Sequence, residues 1–313
     1  MEDPKQPQAA APVPQAKRRS RWLSALLYAL AACGLIALVL SGVAYYQHKK
    51  ATAVPEYLTI DAAAVIEKTM AEKYGKYSAT RKGWLYVDED NRAYVMRVVQ
   101  QKKMRGADGD ELYFLASGEG WIDDDRASVY GVFHIRPTRP RDGTLVEISQ
   151  PAIAGYGAAI KREDVRFEAL SKNSWGWFVR VADGMEPTMQ RALTHNVVWA
   201  PRENGMAKLG QFMAAADQDP GMPCDEAKQA YDEWLELPEA ERRGVEPTGA
   251  PRCERQRWSY RTGKATDATP VPITVTLGGT LDGKPVASRK WTLKFDTKHS
   301  RYTVPAELED PAQ

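Results

Sequence analysis

The sequence of 313 residues contains none of the common catalytic signatures. It has no G-x-S-x-G nucleophile elbow, no H-E-x-x-H zinc motif, no Walker phosphate loop and no dinucleotide-binding glycine fingerprint. Histidine and cysteine are also scarce, with four and three residues respectively. Because catalysis and metal binding require several reactive groups to converge on one point, the sequence favours a protein that is not an enzyme and carries no cofactor.

Positive charge is not clustered where a nucleic acid would need it. The formal net charge is +2, yet residues 1–21 alone contribute +3, and the 25 residues Trp22–Tyr46 contribute none. The rest of the chain is therefore close to neutral, which excludes the basic stripe that a nucleic-acid partner requires. N-x-S/T sequons are absent as well, which favours a bacterial periplasm over a eukaryotic secretory lumen.

The clearest feature that is present is the uncharged run Trp22–Tyr46. A helix crosses the bilayer core with about 20 apolar residues, and the aromatic residues at both ends of the run suit the two interfaces. Five Lys or Arg residues precede the run, whereas only Lys49 and Lys50 follow it closely. The sequence therefore predicts a single-pass protein of the bacterial inner membrane, with residues 1–21 as a disordered cytoplasmic tail, residues 22–46 in the lipid bilayer and the remainder in the periplasm.

Two other interpretations of this run stay open. A cleavable signal peptide has a shorter apolar region of about 7–15 residues. The segment Leu30-Ala31-Ala32-Cys33 resembles a lipobox, so acylation of Cys33 would replace the span by a lipid anchor. The residues from Gly34 to Tyr46 remain apolar, which favours the uncleaved helix.

Small residues recur at every fourth position of the span, namely Ala25, Ala29, Cys33, Ala37 and Ser41. Such a ridge lets two membrane helices approach closely, so it predicts self-association or pairing with another membrane helix. An alanine-rich span also contains such runs by chance, and this alternative remains open.

Cys224 and Cys253 are the two cysteines that lie beyond the span. Exported cysteines usually pair in an oxidising compartment, so we predict a disulfide between them. The alternatives are a metal-binding pair, for which no histidine or second cysteine pair has suitable spacing, and a free nucleophilic thiol.

Residues 47–56 are predicted to be a tether, and residues 57–150 an α+β unit. A helix is predicted from Thr59 to Tyr74, because Thr59 can cap it and Gly75 can end it. Strand patterns separated by polar turns follow, which indicates an antiparallel meander packed on the helix. The predicted strands cover residues 84–87, 93–100, 112–116, 128–135 and 145–149.

Residues 151–313 are predicted to form a second α+β unit. Alternating apolar residues and the hairpin turn Asp282-Gly283 indicate antiparallel strands near its C-terminus. The predicted helices cover residues 161–170, 204–216 and 225–237, and the predicted strands cover 175–181, 273–277, 291–295 and 301–304. The fold class is therefore α+β, with an N-terminal transmembrane helix followed by an ectodomain of helix-plus-antiparallel-meander units.

Three groups of residues in the ectodomain are candidates for binding or chemistry. Trp175 and Trp177 lie on one side of an extended strand and form a candidate platform for a protein partner or a glycan, although large aromatics more often face the core. The acidic run Asp123-Asp124-Asp125 lacks the alternate spacing of a calcium loop and indicates a solvated turn. The histidines are isolated in sequence, which is typical of structural residues: His48, His134, His195 and His299.

These features predict a membrane-anchored, non-enzymatic envelope protein whose periplasmic domain binds another protein. Such proteins include assembly factors of a secretion or envelope machine and immunity proteins that neutralise a toxin. The alternative is an envelope enzyme that acts on peptidoglycan or lipid through an unrecognised site. A ligand sensor is less favoured, because a cytoplasmic tail of 21 residues is too short for a signalling domain.

Overall fold

The computed structural model describes residues 21–52, 57–120, 127–138, 143–186, 191–203, 205–218, 223–242 and 253–309. The chain divides into two compact units, residues 1–55 and residues 56–313. The first contains helix α1, Arg21–Thr52, whose segment Ala25–His48 has a mean hydropathy of 2.4 and is long and apolar enough to cross a membrane. The predicted apolar helix is thus confirmed. A signal sequence would meet the same criterion of length and composition.

The second unit begins with helix α2, Ala62–Tyr74. Its N-cap is Asp61 rather than the predicted Thr59, and the Asp61 carboxylate accepts hydrogen bonds from the amides of Ala63 and Ala64 at 3.1 and 3.3 Å. The helix ends at Gly75, which adopts φ 90°, a conformation that side chains disfavour. Its buried face consists of Ile66, Thr69, Met70 and Tyr74.

Six antiparallel strands form the first sheet in strict chain order, as the meander pattern predicts. The strands are longer than the predicted segments, because their ends extend into polar residues. A bulge between Tyr130 and Val132 accommodates Gly131, where a side chain would meet the Tyr74 hydroxyl group. The strands are β1 Tyr77–Ser78, β2 Gly83–Val87, β3 Ala93–Arg105, β4 Asp110–Gly120, β5 Ala127–Pro137 and β6 Leu145–Tyr156.

An eight-stranded antiparallel sheet follows a short 3-10 helix at Arg162–Asp164. Its order is β13-β12-β11-β10-β9-β8-β7, and β14 pairs with β12. The strands are β7 Val165–Ser171, β8 Ser174–Glu186, β9 Arg191–Arg202, β10 Gly205–Gln218, β11 Glu254–Thr262, β12 Ile273–Leu281, β13 Lys284–Pro285 and β14 Lys290–Leu293. Helices α3, Cys224–Glu236, and α4, Glu239–Arg242, lie between β10 and β11. The C-terminal elements are β15 Phe295–Asp296, β16 Arg301–Tyr302 and α5 Ala306–Glu309.

Two of the predicted helices are wrong, whereas the helix predicted at 225–237 is confirmed as α3. Residues 161–170 contain the short 3-10 helix and then β7, and residues 204–216 lie mostly in β10. Bulges in β10 between Lys208 and Gly210 and between Met213 and Ala215 shift the alternation of side chains. The strand is also buried on both faces over much of its length, so its apolar residues imitate helical spacing.

The second unit is a stack of four layers, and it is an α+β structure dominated by its sheets. Helix α2 covers the outer face of the first sheet through residues such as Met70, Phe114 and Phe133. The two sheets pack on each other through an aliphatic and aromatic core: Tyr113, Leu115, Tyr130, Val132, Val165, Trp177, Val179, Val197 and Trp199. The C-terminal elements cover the outer face of the second sheet, where Tyr302 and Leu308 are buried. Strand β6 crosses the predicted unit boundary at residue 150 and ends at Tyr156.

Candidate functional site

The predicted disulfide Cys224–Cys253 is confirmed. It anchors the segment that connects β10 to β11 in the second sheet. The two Cα atoms are 5.9 Å apart, and 29 positions separate the cysteines in sequence. Cys224 is the first residue of α3, and Cys253 immediately precedes β11. The bond therefore ties the start of α3 to the strand at which the chain rejoins the sheet.

A buried ion pair lies at the same end of this sheet. Arg191 donates hydrogen bonds from Nε and Nη2 to the two carboxylate oxygens of Glu254, at 2.7 and 2.9 Å. The side chains of Arg191 and Glu254 are only 8% and 1% exposed, so both charged groups are shielded from solvent. Arg191 and Glu254 lie opposite Gln218 from the two neighbouring strands, so the pair bridges the end of β10. This pair is not predictable from the sequence, because 63 positions separate Arg191 from Glu254.

Helix α3 is amphipathic and largely exposed. Among its residues only Ala227 is buried, and Tyr231 and Trp234 are half-buried. Leu235 is 43% exposed, and Leu237, which follows the helix, is 38% exposed. The polar face holds one cation, Lys228, and these carboxylates: Asp225, Glu226, Asp232, Glu233 and Glu236.

A second polar cluster lies on the inner face of the first sheet. His134 Nε2 is 2.8 Å from Glu111 Oε2, and the Tyr113 hydroxyl donates to the same carboxylate oxygen at 3.0 Å. The rings of Tyr113 and His134 stack at 4.1 Å. The hydrogen bond from His134 holds the pKa of Glu111 below its usual range, although partial burial acts in the opposite direction. Burial raises the pKa of the Tyr113 hydroxyl, so this group stays a neutral hydrogen-bond donor.

This cluster, including His134, lines an open cleft of about 670 Å³. The cleft is also lined by Arg136, Ser174 and Arg202. His134 Nε2 is occupied by Glu111, and Nδ1 is buried without a hydrogen-bond partner among the described residues. In this structure His134 therefore holds the Glu111 carboxylate in a fixed orientation through Nε2.

The other described histidines of the second unit also lie beside carboxylates. His195, which is buried, contacts the Glu309 carbonyl oxygen through Nε2 at 3.1 Å, and its Nδ1 lies 3.4 Å from Asp183. His195 therefore joins α5 to β9. His299 Nδ1 is 2.5 Å from Asp296, which lowers the pKa of that exposed carboxyl group. Within the part of the chain that the structure describes, no three His, Cys, Asp or Glu side chains form a group that could hold a metal ion.

The predicted tryptophan platform is located on the inner face of the second sheet. Trp177 is fully buried in the core between the sheets. Trp175 is half-buried and stacks on Phe167 with ring centres 5.5 Å apart. This geometry favours the core interpretation of the pair, with Trp175 alone retaining exposed surface. The acidic run at residues 123–125 lies outside the described residues.

The small-residue ridge is located on α1, where Ala25, Ala29, Cys33, Ala37 and Ser41 are all exposed. Cys33 is a free thiol. The ridge and the second unit are therefore separate candidate surfaces, and on the second unit α3 joins exposed apolar side chains to a charged face. The chain matches no known protein family, no curated protein and no solved structure.

Proposed function

We propose that this protein is a membrane-anchored, non-enzymatic envelope protein whose exported domain binds another protein. The observation that carries the proposal is α3, an amphipathic helix that is exposed on the domain and fastened at its first residue by a disulfide. Exposed apolar side chains beside charged ones are typical of protein-binding surfaces. An assembly factor of a secretion or envelope machine, or an immunity protein that neutralises a toxin, would use such a surface.

The proposed location is the bacterial inner membrane, with the N-terminus in the cytoplasm and the domain in the periplasm. Helix α1 supports a single span, and the excess of Lys and Arg before it supports this orientation. The disulfide supports an oxidising compartment for the domain. A reporter that is active only after export, fused after Gln313, should be active, and activity of a cytoplasm-only reporter there would contradict this topology.

Binding is favoured over catalysis because Nε2 of each buried histidine is already engaged by a protein group. His134 and His195 are each buried against protein groups. The open cleft beside Glu111, Arg136 and Arg202 is the observation that favours the alternative, an envelope enzyme acting on peptidoglycan or lipid. Hydrolysis of either substrate by the parent protein and its loss in Glu111→Gln would replace the binding proposal by the enzymatic one.

The binding proposal is tested by chemical crosslinking of the full chain in intact cells. The reference is residues 1–55 fused to an unrelated exported domain, which keeps the anchor and removes the proposed binding surface. We expect a protein crosslinked to peptides of residues 56–313 and absent from the reference. Crosslinks that occur equally in the reference would show that the domain contributes no partner.

Helix α1 is proposed to associate with itself or with another membrane helix through its small-residue ridge. Ala29→Leu with Ala37→Leu should keep the helix inserted, because leucine favours insertion, and should push neighbouring backbones apart. We therefore expect a lower yield of crosslinked dimer or complex in membranes, with the domain still folded. Substitution of Leu30 and Leu38 is the control. Equal yields for both pairs would leave α1 as an anchor only.

A further inference from the structure

The apolar side chains of α3 form a continuous stripe. Ala227, Ala230, Tyr231, Trp234 and Leu235 occur at the spacing of one helix face. In a helix that packs on its own domain, such a stripe is buried throughout. Here only Ala227 is buried, Tyr231 and Trp234 are half-buried, and Ala230 and Leu235 are exposed, Leu235 by 43%. The C-terminal half of the stripe therefore presents apolar surface to a partner.

The charges of α3 stabilise its first turn but not its last. Asp225 and Glu226 lie in the first turn, where the helix dipole favours negative charge. Glu233 and Glu236 lie in the last turn, where the dipole disfavours them, and no basic residue is present there. Asp232 and Glu236 are four positions apart, so these like charges also repel. Cationic groups of a partner would relieve this unfavourable concentration of negative charge.

The same charges exclude two other occupants of the stripe. An anionic membrane surface attracts basic amphipathic helices, whereas the polar face of α3 has five carboxylates and one lysine. A second copy of α3 would bring the same carboxylates together. The occupant that fits is a groove with an apolar floor and Lys or Arg residues on its rim, into which an amphipathic helix docks.

Contacts at both ends hold the helix in place before any partner arrives. Cys224 is bonded to Cys253 at the first residue. Beyond the last turn, Arg242 donates from Nε to the Leu237 carbonyl oxygen at 2.6 Å, and its guanidinium lies 5.8 Å from the centre of the Trp234 ring. A helix that is already ordered loses less conformational entropy on binding, so it forms a preorganised binding element.

We propose that α3 is the partner-binding element, and that its partner is a protein with an apolar groove rimmed by basic residues. This inference rests on the proposed function and narrows it to one element and one class of partner. It requires contact through Leu235 and electrostatic attraction through the carboxylates of the last two turns, which include Asp232 and Glu236.

The test uses a photoreactive phenylalanine analogue in the full chain, placed at Leu235 or, for comparison, at the exposed Ser259 on β11. Illumination of intact cells should crosslink position 235 to one protein, at a peptide that contains Lys or Arg beside apolar residues. Asp232→Lys with Glu236→Lys should reduce that yield about tenfold, because rim charges control encounter and affinity. Glu67→Lys with Glu89→Lys changes the net charge equally at distant exposed sites and should leave the yield unchanged.

Resistance of the domain to protease and the intact disulfide verify that each variant is folded. Crosslinking of position 235 to lipid, to another copy of the chain or to a peptide without basic residues would overturn the inference. So would a yield that is unaffected by Asp232→Lys with Glu236→Lys. A protein crosslinked from Ser259 but not from position 235 would overturn the role of α3 and leave the proposed function standing. Loss of every domain crosslink, including those of the chemical reagent, would overturn both.

Discussion

The two sheets of the domain share one inner core but are secured by different interactions. The first sheet is an uninterrupted meander held against α2 by apolar packing, with the Phe114 and Phe133 rings stacked at 4.3 Å. In the second sheet a long connection joins the paired strands β10 and β11, and the disulfide and the Arg191–Glu254 pair lie where this connection meets the sheet. In this domain, the long connection between β10 and β11 is therefore held by a covalent and an ionic link at the end where it leaves and rejoins the sheet.

The largest effect is expected in the first sheet, where two large apolar side chains stack in the core. Phe114→Ala removes a fully buried ring that stacks on Phe133, so the free energy of unfolding should fall by about 3–5 kcal/mol. Denaturant unfolding of the full chain in detergent, followed by tryptophan fluorescence, measures this. Tyr77→Ala, at a ring that is 55% exposed, is the matched control and should have little effect. A loss below about 1 kcal/mol for Phe114→Ala would show that α2 packs only loosely on this sheet.

Loss of the disulfide is expected to have the next largest effect, and it tests the second sheet. Cys224→Ser with Cys253→Ser releases a loop of 29 positions, which the chain-entropy model values at about 3.5 kcal/mol. The same unfolding measurement applies, with Cys33→Ser as the control. In the parent, both thiols should resist alkylation under denaturing conditions until a reductant is added. Full labelling without reductant would contradict the bond itself.

The buried ion pair provides a third test at the same end of the sheet. Arg191→Met leaves the Glu254 carboxylate buried without its partner, so the free energy of unfolding should fall by about 3 kcal/mol. Replacing both residues, as Arg191→Met with Glu254→Leu, should recover most of this loss, since no charge is then buried. The exposed pair Arg257–Asp217 is the control, and Arg257→Met should cost less than about 1 kcal/mol. No recovery in the double variant would mean that the pair acts through shape rather than charge.

The sequence predicts the first sheet better than the second, for reasons visible in single strands. In β3 to β5, short apolar runs are bounded by polar turns, so each strand is recognisable although β4 and β5 are buried on both faces. In β11, Glu254, Gln256 and Trp258 are buried, and the two polar residues at buried positions conceal the alternation. Strand β10 fails for the opposite reason, because bulges and burial on both faces leave an apolar run with no clear period.

The candidate surfaces show the same division between local and distant information. The amphipathic helix α3 can be predicted because helical spacing is a property of a short segment. The cysteine pair can be predicted because the apolar helix indicates export to an oxidising compartment. The pairs Arg191–Glu254 and Glu111–His134 depend on strand register, which cannot be predicted from the local sequence pattern. Tyr113 lies directly opposite His134, and only this register places Glu111 beside the imidazole.

The smallest effect concerns Glu111, a partly buried carboxylate on the inner face of the first sheet. Its pKa is lowered in the folded protein, first by the hydrogen bond with His134, so ionised Glu111 stabilises the fold above the pKa of the unfolded chain, about 4.3. That contribution is lost as the pH falls through the lowered folded value. Glu111→Gln should therefore be less stable than the parent at pH 6, and the difference should shrink towards pH 3. Asp296→Asn, at an exposed pair with His299 whose pKa is lowered in the same direction, should show no measurable difference, because solvent screens it. Thermal unfolding midpoints of the three proteins across this range provide the comparison. A deficit of Glu111→Gln that is independent of pH would mean that the hydrogen-bond geometry, and not the carboxylate charge, holds His134 and Tyr113 in place.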